Sequence, residues 1–222
     1  MEERSPGLLL QAIPYLGKKK ILKILTPGVG LISLLAKTVR DASLLTPFCL
    51  AEWVYKKGQR DLHTLIDASL SDGLLSLRSN YQTLCSAGLI AQELLRAQMP
   101  GVYSPELFAL ACSIFQKMGS FDHPEVLVAL FRLKWLQQEG LLAFRPACSI
   151  CGASARHLHE GESYCLSHAQ SYGWTLLKEE WDHIESLLTL RTFTELKKIA
   201  PYPSLYSKLA SFFLARMQLP AI

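Results

Sequence analysis

The sequence predicts an α+β protein in which a small five-stranded barrel precedes a helical bundle interrupted by a metal knuckle. Three observations carry that expectation. Through residue 70, short apolar runs alternate with Gly/Pro turns. From Ser71 onward the apolar period lengthens from two to that of a helix. Within the helical part, Cys148-Ser-Ile-Cys151 and Cys165-Leu-Ser-His168 form two ligand pairs, thirteen residues apart. The barrel is therefore placed at residues 1–70 and the helical domain at residues 71–222, with the knuckle segment at 144–170.

The barrel strands are read at Leu8 to Tyr15, Ile21 to Thr26, Leu31 to Lys37, Phe48 to Lys56 and Asp61 to Ala68. Leu16-Gly17-Lys18-Lys19-Lys20 and Pro27-Gly28-Val29-Gly30 supply reversals between them. Five strands in so few residues suggest a small antiparallel barrel. Several are apolar on both faces, as with Ile21 and Leu25 against Leu22 and Ile24, so helices are expected to cover the outside.

In the helical part, Leu74, Leu77, Tyr81, Leu84, Gly88, Ala91 and Leu95 recur at helical spacing. Met99-Pro100-Gly101 stops that helix, and Gly88 within it suggests close packing. Ser104-Pro105 opens a second helix with Leu107, Leu110, Ala111, Ile114, Phe115 and Met118 on one face. Asp122 and Glu125 resemble a capping box for a third helix running to Gly140. Trp174, Leu177, Trp181, Ile184 and Leu188 mark a later face. Thr192 with Glu195 resembles another capping box, and a last helix carries Leu205, Leu209, Phe212 and Phe213.

Cys148, Cys151, Cys165 and His168 would complete the tetrahedral shell of a structural Zn2+, leaving no position for water. His157 and His159 lie inside the loop and compete with His168 as fourth ligand. A knuckle without metal is the bland alternative. Cys49, Cys85 and Cys112 are scattered among apolar residues and read as small buried hydrophobes. No secretory leader or membrane-length apolar run is apparent, and the cysteine usage suits a reducing, cytoplasmic setting.

The charge is uneven. Through residue 70 there are ten Lys/Arg against six Asp/Glu, whereas the remainder is balanced. Such a local excess is the footprint of a polyanion binder. Lys18, Lys19, Lys20, Lys23, Lys37, Arg40, Lys56, Lys57 and Arg60 are the candidate nucleic-acid contacts. Tyr15, Trp53 and Tyr55 on the same strands serve either as base-stacking rings or as barrel core. Lys197, Lys198, Lys208 and Arg216 flank apolar positions and could rim a protein-binding groove, although a solvated helix face is the commoner explanation. The sequence contains no Walker loop, His-Glu-x-x-His helix or nucleophile elbow, and no catalytic residues are expected.

The stretch from Gly17 to Lys37, with Leu25-Thr26, a turn, Gly30-Leu31 and Ala36-Lys37, resembles the opening of the RecO recombination mediators. Leu45-Thr-Pro-Phe48, Asp61-Leu62 and Gln92-Glu93-Leu94 fall where that family has similar residues, and the Cys148 to His168 segment is similar to its zinc knuckle. Thr38-Val39-Arg40-Asp41 departs from the Gly-Ala and basic residues usual there, and His168 stands where many members have cysteine. The resemblance implies an oligonucleotide/oligosaccharide-binding (OB) barrel on a zinc-holding helical domain. It implies a cytoplasmic, nucleoid-associated, non-enzymatic protein that binds single- and double-stranded DNA and anneals complementary strands. The implied partners are RecR, sometimes RecF, and single-strand-binding protein, with RecA loading as the outcome. A protein- or RNA-binding scaffold is the alternative.

Overall fold

A computed structural model describes residues 2–37, 42–58, 61–98, 101–169, 171 and 173–219. Arg40, Arg60 and the Met99-Pro100 helix stop lie outside these residues. The chain forms two compact units, Met1–Pro124 and Glu125–Ile222. The expected division after residue 70 marks the end of the barrel sequence, whereas the first compact unit also takes in two helices.

The barrel strands are β1 (Glu2–Tyr15), β2 (Lys19–Thr26), β3 (Gly30–Ala36), β4 (Leu50–Lys56) and β5 (Leu62–Asp72). They close in the order β1-β2-β3-β5-β4, which is the OB connectivity. All neighbours are antiparallel except β3 and β5, which run parallel through Ser33↔Leu62 to Leu35↔Thr64. This corrects the fully antiparallel expectation. An odd number of strands cannot alternate direction around a closed ring, so one parallel contact is obligatory.

β1 is longer than its apolar run suggests, because it serves two neighbours. Glu2 to Leu8 pair with β4, and Leu8 to Tyr15 pair with β2, across a bulge between Leu9 and Gln11. Gly7 sits at the bend, where a Cβ would come 2.4 Å from Ile24 Cγ2 and 3.0 Å from Trp53 Cδ1. The barrel interior is filled by Leu9, Leu22, Ile24, Ile32, Leu34 and Trp53, among others. Trp53 is fully buried and its Nε1–H donates to Gly7 O at 3.1 Å.

Outside the barrel, α1 (Tyr81–Ala97) lies against β1 and α2 (Pro105–Met118) against β2. Leu8 and Leu25, on the outer face, have no exposure, which is the expected helical cover. Asn80 caps α1 by accepting from Thr83 N at 2.8 Å. The buried face of α1 is Ala87, Ile90, Ala91 and Leu94, while Tyr81 and Leu84 are exposed. A Cβ at Gly88 would meet nothing, so that glycine marks no close packing. The α2 face is buried as expected, through Leu107, Ala111, Ile114, Phe115 and Met118. Of the three scattered cysteines, Cys49 is buried and Cys112 half-buried, but Cys85 is exposed.

In the second unit, α3 (Glu125–Gln138) is buried on nearly every side. It packs with α4 (Lys178–Thr189) and α6 (Pro203–Arg216). Trp135 on α3 meets Phe131 and Phe213 with ring centroids 5.4 and 5.5 Å apart. Between α3 and α4 lies a three-stranded sheet of β6 (His157–His159), β7 (Glu162–Tyr164) and β8 (Trp174–Thr175). Trp174 therefore belongs to a strand, not to the α4 face, which consists of Glu180, Trp181, Ile184 and Leu187. The four-residue α5 (Phe193–Leu196) carries the expected capping box, Thr192 with Glu195.

Because the bend at Gly7 has no room for a methyl group, Gly7→Ala should destabilise the protein by about 1–3 kcal/mol. The midpoint of urea unfolding followed by far-UV circular dichroism measures this, and an unshifted midpoint would refute the close approach.

Candidate metal centre and nucleic-acid surface

Each half of the knuckle is a tight turn tied to the small sheet. Gly152, at φ 74°, completes the first turn, in which Gly152 N–H donates to Cys148 O at 3.0 Å. The second pair sits on a single 3₁₀ turn, with His168 N–H donating to Cys165 O at 3.1 Å. Ser163, fully buried on β7, joins the two. Its carbonyl accepts from Ser149 N and its hydroxyl from Arg145 N, both at 2.9 Å. No ligand-spacing pattern reveals Ser163, since its contribution depends on strand pairing.

The Sγ atoms of Cys148, Cys151 and Cys165 and a ring nitrogen of His168 all lie within 4.8 Å of one another. His168 Nδ1 is 3.6 Å from Cys148 Sγ and 3.4 Å from Cys165 Sγ, and Cys151 Sγ is 3.7 Å from Cys165 Sγ. A bonded disulfide requires roughly 2.05 Å. Donors about 2.3 Å (sulfur) and 2.0 Å (nitrogen) from one tetrahedral ion would stand roughly 3.5–3.8 Å apart, so these three separations fit edges of such a shell.

The titration behaviour points the same way. Burial pushes the Cys148 thiol up, but the N–H groups of Cys151, Cys165 and Ile150, with the His168 ring, outweigh it and hold it at about 5. For Cys151 the Ala153 N–H favours the thiolate, yet desolvation and the Cys165 and Cys148 sulfurs together push that thiol up. Crowded thiolates raise one another's pKa, and a shared cation removes the conflict. These four side chains could hold a metal ion. Among the described residues, neither His157 nor His159 joins the group. The His157 ring is buried against Gly173 and bonds Thr175 Oγ1 through Nδ1 at 2.9 Å.

The basic residues of the barrel separate into two sets. β1 ends, β2 begins and β3 ends at one mouth, which gathers Lys18, Lys19, Lys20 and Lys37; Lys20 pairs with Ala36 across the ladder. β4 ends and β5 begins at the opposite mouth, where Lys56 and Lys57 lie. There Lys57 Nζ stands 2.6 Å from Glu3 Oε1, and Lys56 faces Glu2 across the strands. The Lys57 hydrogen bond holds the Glu3 carboxyl below the ordinary carboxylate range, against some desolvation. The basic residues thus divide between two mouths: Lys57 is ion-paired with Glu3, and Lys56 lies opposite Glu2 in the ladder.

The aromatic candidates also divide. Trp53 and Tyr55 are core, and burial together with Glu3 pushes the Tyr55 hydroxyl up to about 12. Tyr15 remains 40% exposed on the outer face of the sheet. Its row pairs with Lys19; the next rows join Ile13 to Ile21 and Leu35, and Gln11 to Lys23 and Ser33. Lys23 Nζ donates to Ser33 Oγ at 2.8 Å, which lays its stem along the sheet.

In the second unit, Lys208 is engaged by the buried Glu180 carboxylate. Lys197 and Lys198 are exposed after α5, and Arg216 is half-buried at the end of α6. No helix among the described residues is long and apolar enough to cross a membrane.

The family model described as "Recombination protein O N terminal" matches residues 1–74, which is the barrel itself. A DNA repair protein RecO of Chlamydia pneumoniae is 29% identical over 205 residues, covering 89% of this chain and 81% of its own. That of Chlamydia muridarum is 28% identical over 218 residues, 94% and 93% of the two chains. The chain is thus similar to RecO proteins over most of its length. A more distant RecO, from Exiguobacterium sibiricum, is 24% identical over 179 residues. The similarity to the chlamydial RecO proteins spans the barrel, helices and knuckle alike, beyond the residue 190 to which the sequence motifs extend.

One equivalent of tightly bound metal per chain is expected from protein purified without chelator. His168→Ala should lower it and His157→Ala should not, as read by elemental analysis. Cys148→Ser should lower the melting temperature of the protein; a variant that melts like its parent would show that the knuckle is not structural.

Proposed function

We propose that this protein is a DNA-binding recombination mediator, in which the OB barrel contacts the sugar-phosphate backbone and bases of DNA. The observation that carries this reading is the outer face of β1, β2 and β3. An exposed ring, Tyr15, and the apolar patch of Ile13, Ile21 and Leu35 are flanked by Lys18, Lys19, Lys20, Lys23 and Lys37. Flat apolar and aromatic surface accepts stacked bases of any sequence, while lysines neutralise phosphates as point charges. None of these side chains has the fork geometry that reads a base edge, so sequence-tolerant binding follows.

Strand annealing asks only that opposed phosphates be neutralised while bases stay accessible, and this surface meets both demands. Binding of single- and double-stranded DNA, annealing of complements and loading of RecA onto strands coated with single-strand-binding protein complete the proposed activity. RecR, RecF and single-strand-binding protein are its proposed partners, in the bacterial cytoplasm. The role is non-enzymatic, with the barrel surface presenting DNA and no residue assigned to bond making. The four knuckle donors are assigned to Zn2+, since three thiolates and one imidazole suit that ion and leave it no open position.

Affinity for a labelled single-stranded oligonucleotide across a salt series tests the proposal. Replacing Lys18, Lys19, Lys20 and Lys23 with Gln should weaken binding and flatten the log–log slope by roughly two to three units. Lys56→Gln with Lys57→Gln should change the slope much less, because Glu2 and Glu3 oppose those charges. Tyr15→Ala should cost about 1–3 kcal/mol of single-strand affinity. Unchanged affinity and slope in the four-lysine variant would remove this surface from consideration. Absent binding even at low salt would favour an interaction scaffold instead.

A further inference from the structure

Within the second unit, the small sheet and α6 border a shallow, open pocket of about 600 Å³. Its lining includes Leu158, Glu160, Trp174, Thr175, Lys208 and Phe212. The walls are apolar. The Trp174 and Phe212 rings lie 5.1 Å apart at 34°, and Leu158 is buried beneath them. A concave apolar site of this volume is large enough for several side chains or one small ligand.

The polar groups around it decide what it takes. Lys208 is paired with the buried Glu180, so its charge is already cancelled. The Thr175 hydroxyl bonds the His157 ring, and the Ser211 hydroxyl donates to Ser207 O at 3.3 Å. Glu160 differs. It stands exposed in the β6–β7 turn with a left-handed φ of 49°, and no described residue engages its carboxylate. Among the described residues that line it, Glu160 is the one charged side chain without an opposite charge.

We propose that this pocket docks a Lys or Arg side chain presented by an apolar-flanked segment of a protein partner. The cation would lie over the Trp174 face, where the ring quadrupole attracts it, with Glu160 as counter-charge and Phe212 and Leu158 receiving the flanking apolar residue. A nucleic acid or an acidic peptide would instead meet an unpaired carboxylate beside a neutralised lysine. This site is independent of the barrel surface and of the DNA-binding reading.

Tryptophan fluorescence isolates the site. Trp53, Trp135 and Trp181 are at most 4% exposed, whereas Trp174 is reachable from solvent. An N-acetylated, amidated Leu-Arg-Leu-Arg-Leu peptide should shield Trp174 in the full chain from acrylamide quenching. Its Leu-Glu-Leu-Glu-Leu counterpart and oligo(dT) should not. Glu160→Gln should weaken Arg-peptide binding roughly three- to fivefold, and Glu160→Lys should transfer the preference to the Glu peptide. Both variants alter an exposed turn, and a melting temperature equal to the parent's verifies their folding. Failure of the Arg peptide to shield Trp174 would overturn the proposal. Equal shielding by the Glu peptide or oligo(dT), or unchanged affinity in Glu160→Lys, would do the same.

Discussion

Barrel closure by one shared strand is the constraint on which the first unit depends. β1 must pair with β4 through its first half and with β2 through its second, which obliges it to bend. The bend is possible because a bulge follows Leu9 and because Gly7 leaves room for Ile24 and Trp53. Trp53 then fills the interior and donates its one polar hydrogen to Gly7 O, so the indole both packs and fixes the bend. A side chain that closes the barrel in this way is buried, and Tyr15 is the ring on these strands that stays exposed.

Closure also sets the electrostatics. Strand direction brings the start of β2 and the ends of β1 and β3 to one mouth, concentrating lysines there. The other mouth receives the acidic start of β1, where Glu2 and Glu3 meet Lys56 and Lys57. Net charge alone cannot distinguish the two. What a phosphate experiences is the uncompensated charge within a Debye length, about 8–10 Å at moderate salt. Under the proposed reading, a polyanion would favour the first mouth over the second.

The knuckle shows the same dependence on pairing. Its donors sit on two turns that have little apolar surface of their own, and the β6–β7 hairpin holds them in register through Ser163. Crowding of three sulfurs is unfavourable unless a cation shares them, so the fold and the donor set imply each other. The same sheet presents its Leu158 and Trp174 face to α6, which joins the knuckle to the aromatic pocket.

The sequence by itself determined the number and order of the barrel strands, the helical face of α2, the Thr192/Glu195 cap and the three cysteine donors of the knuckle. Each of these is a local matter of period, turn chemistry or ligand spacing, which neighbouring residues settle. Only the tertiary structure decided the parallel β3–β5 contact, the burial of Trp53 and Tyr55 and the neutralisation of Lys57 by Glu3. Only it set His157 apart from the metal donors and placed Trp174 in a strand. These depend on residues far apart in the chain meeting: Gly7 with Trp53, Glu3 with Lys57, His157 with Thr175. Chain closure and cross-strand register bring them together, and no local pattern encodes either.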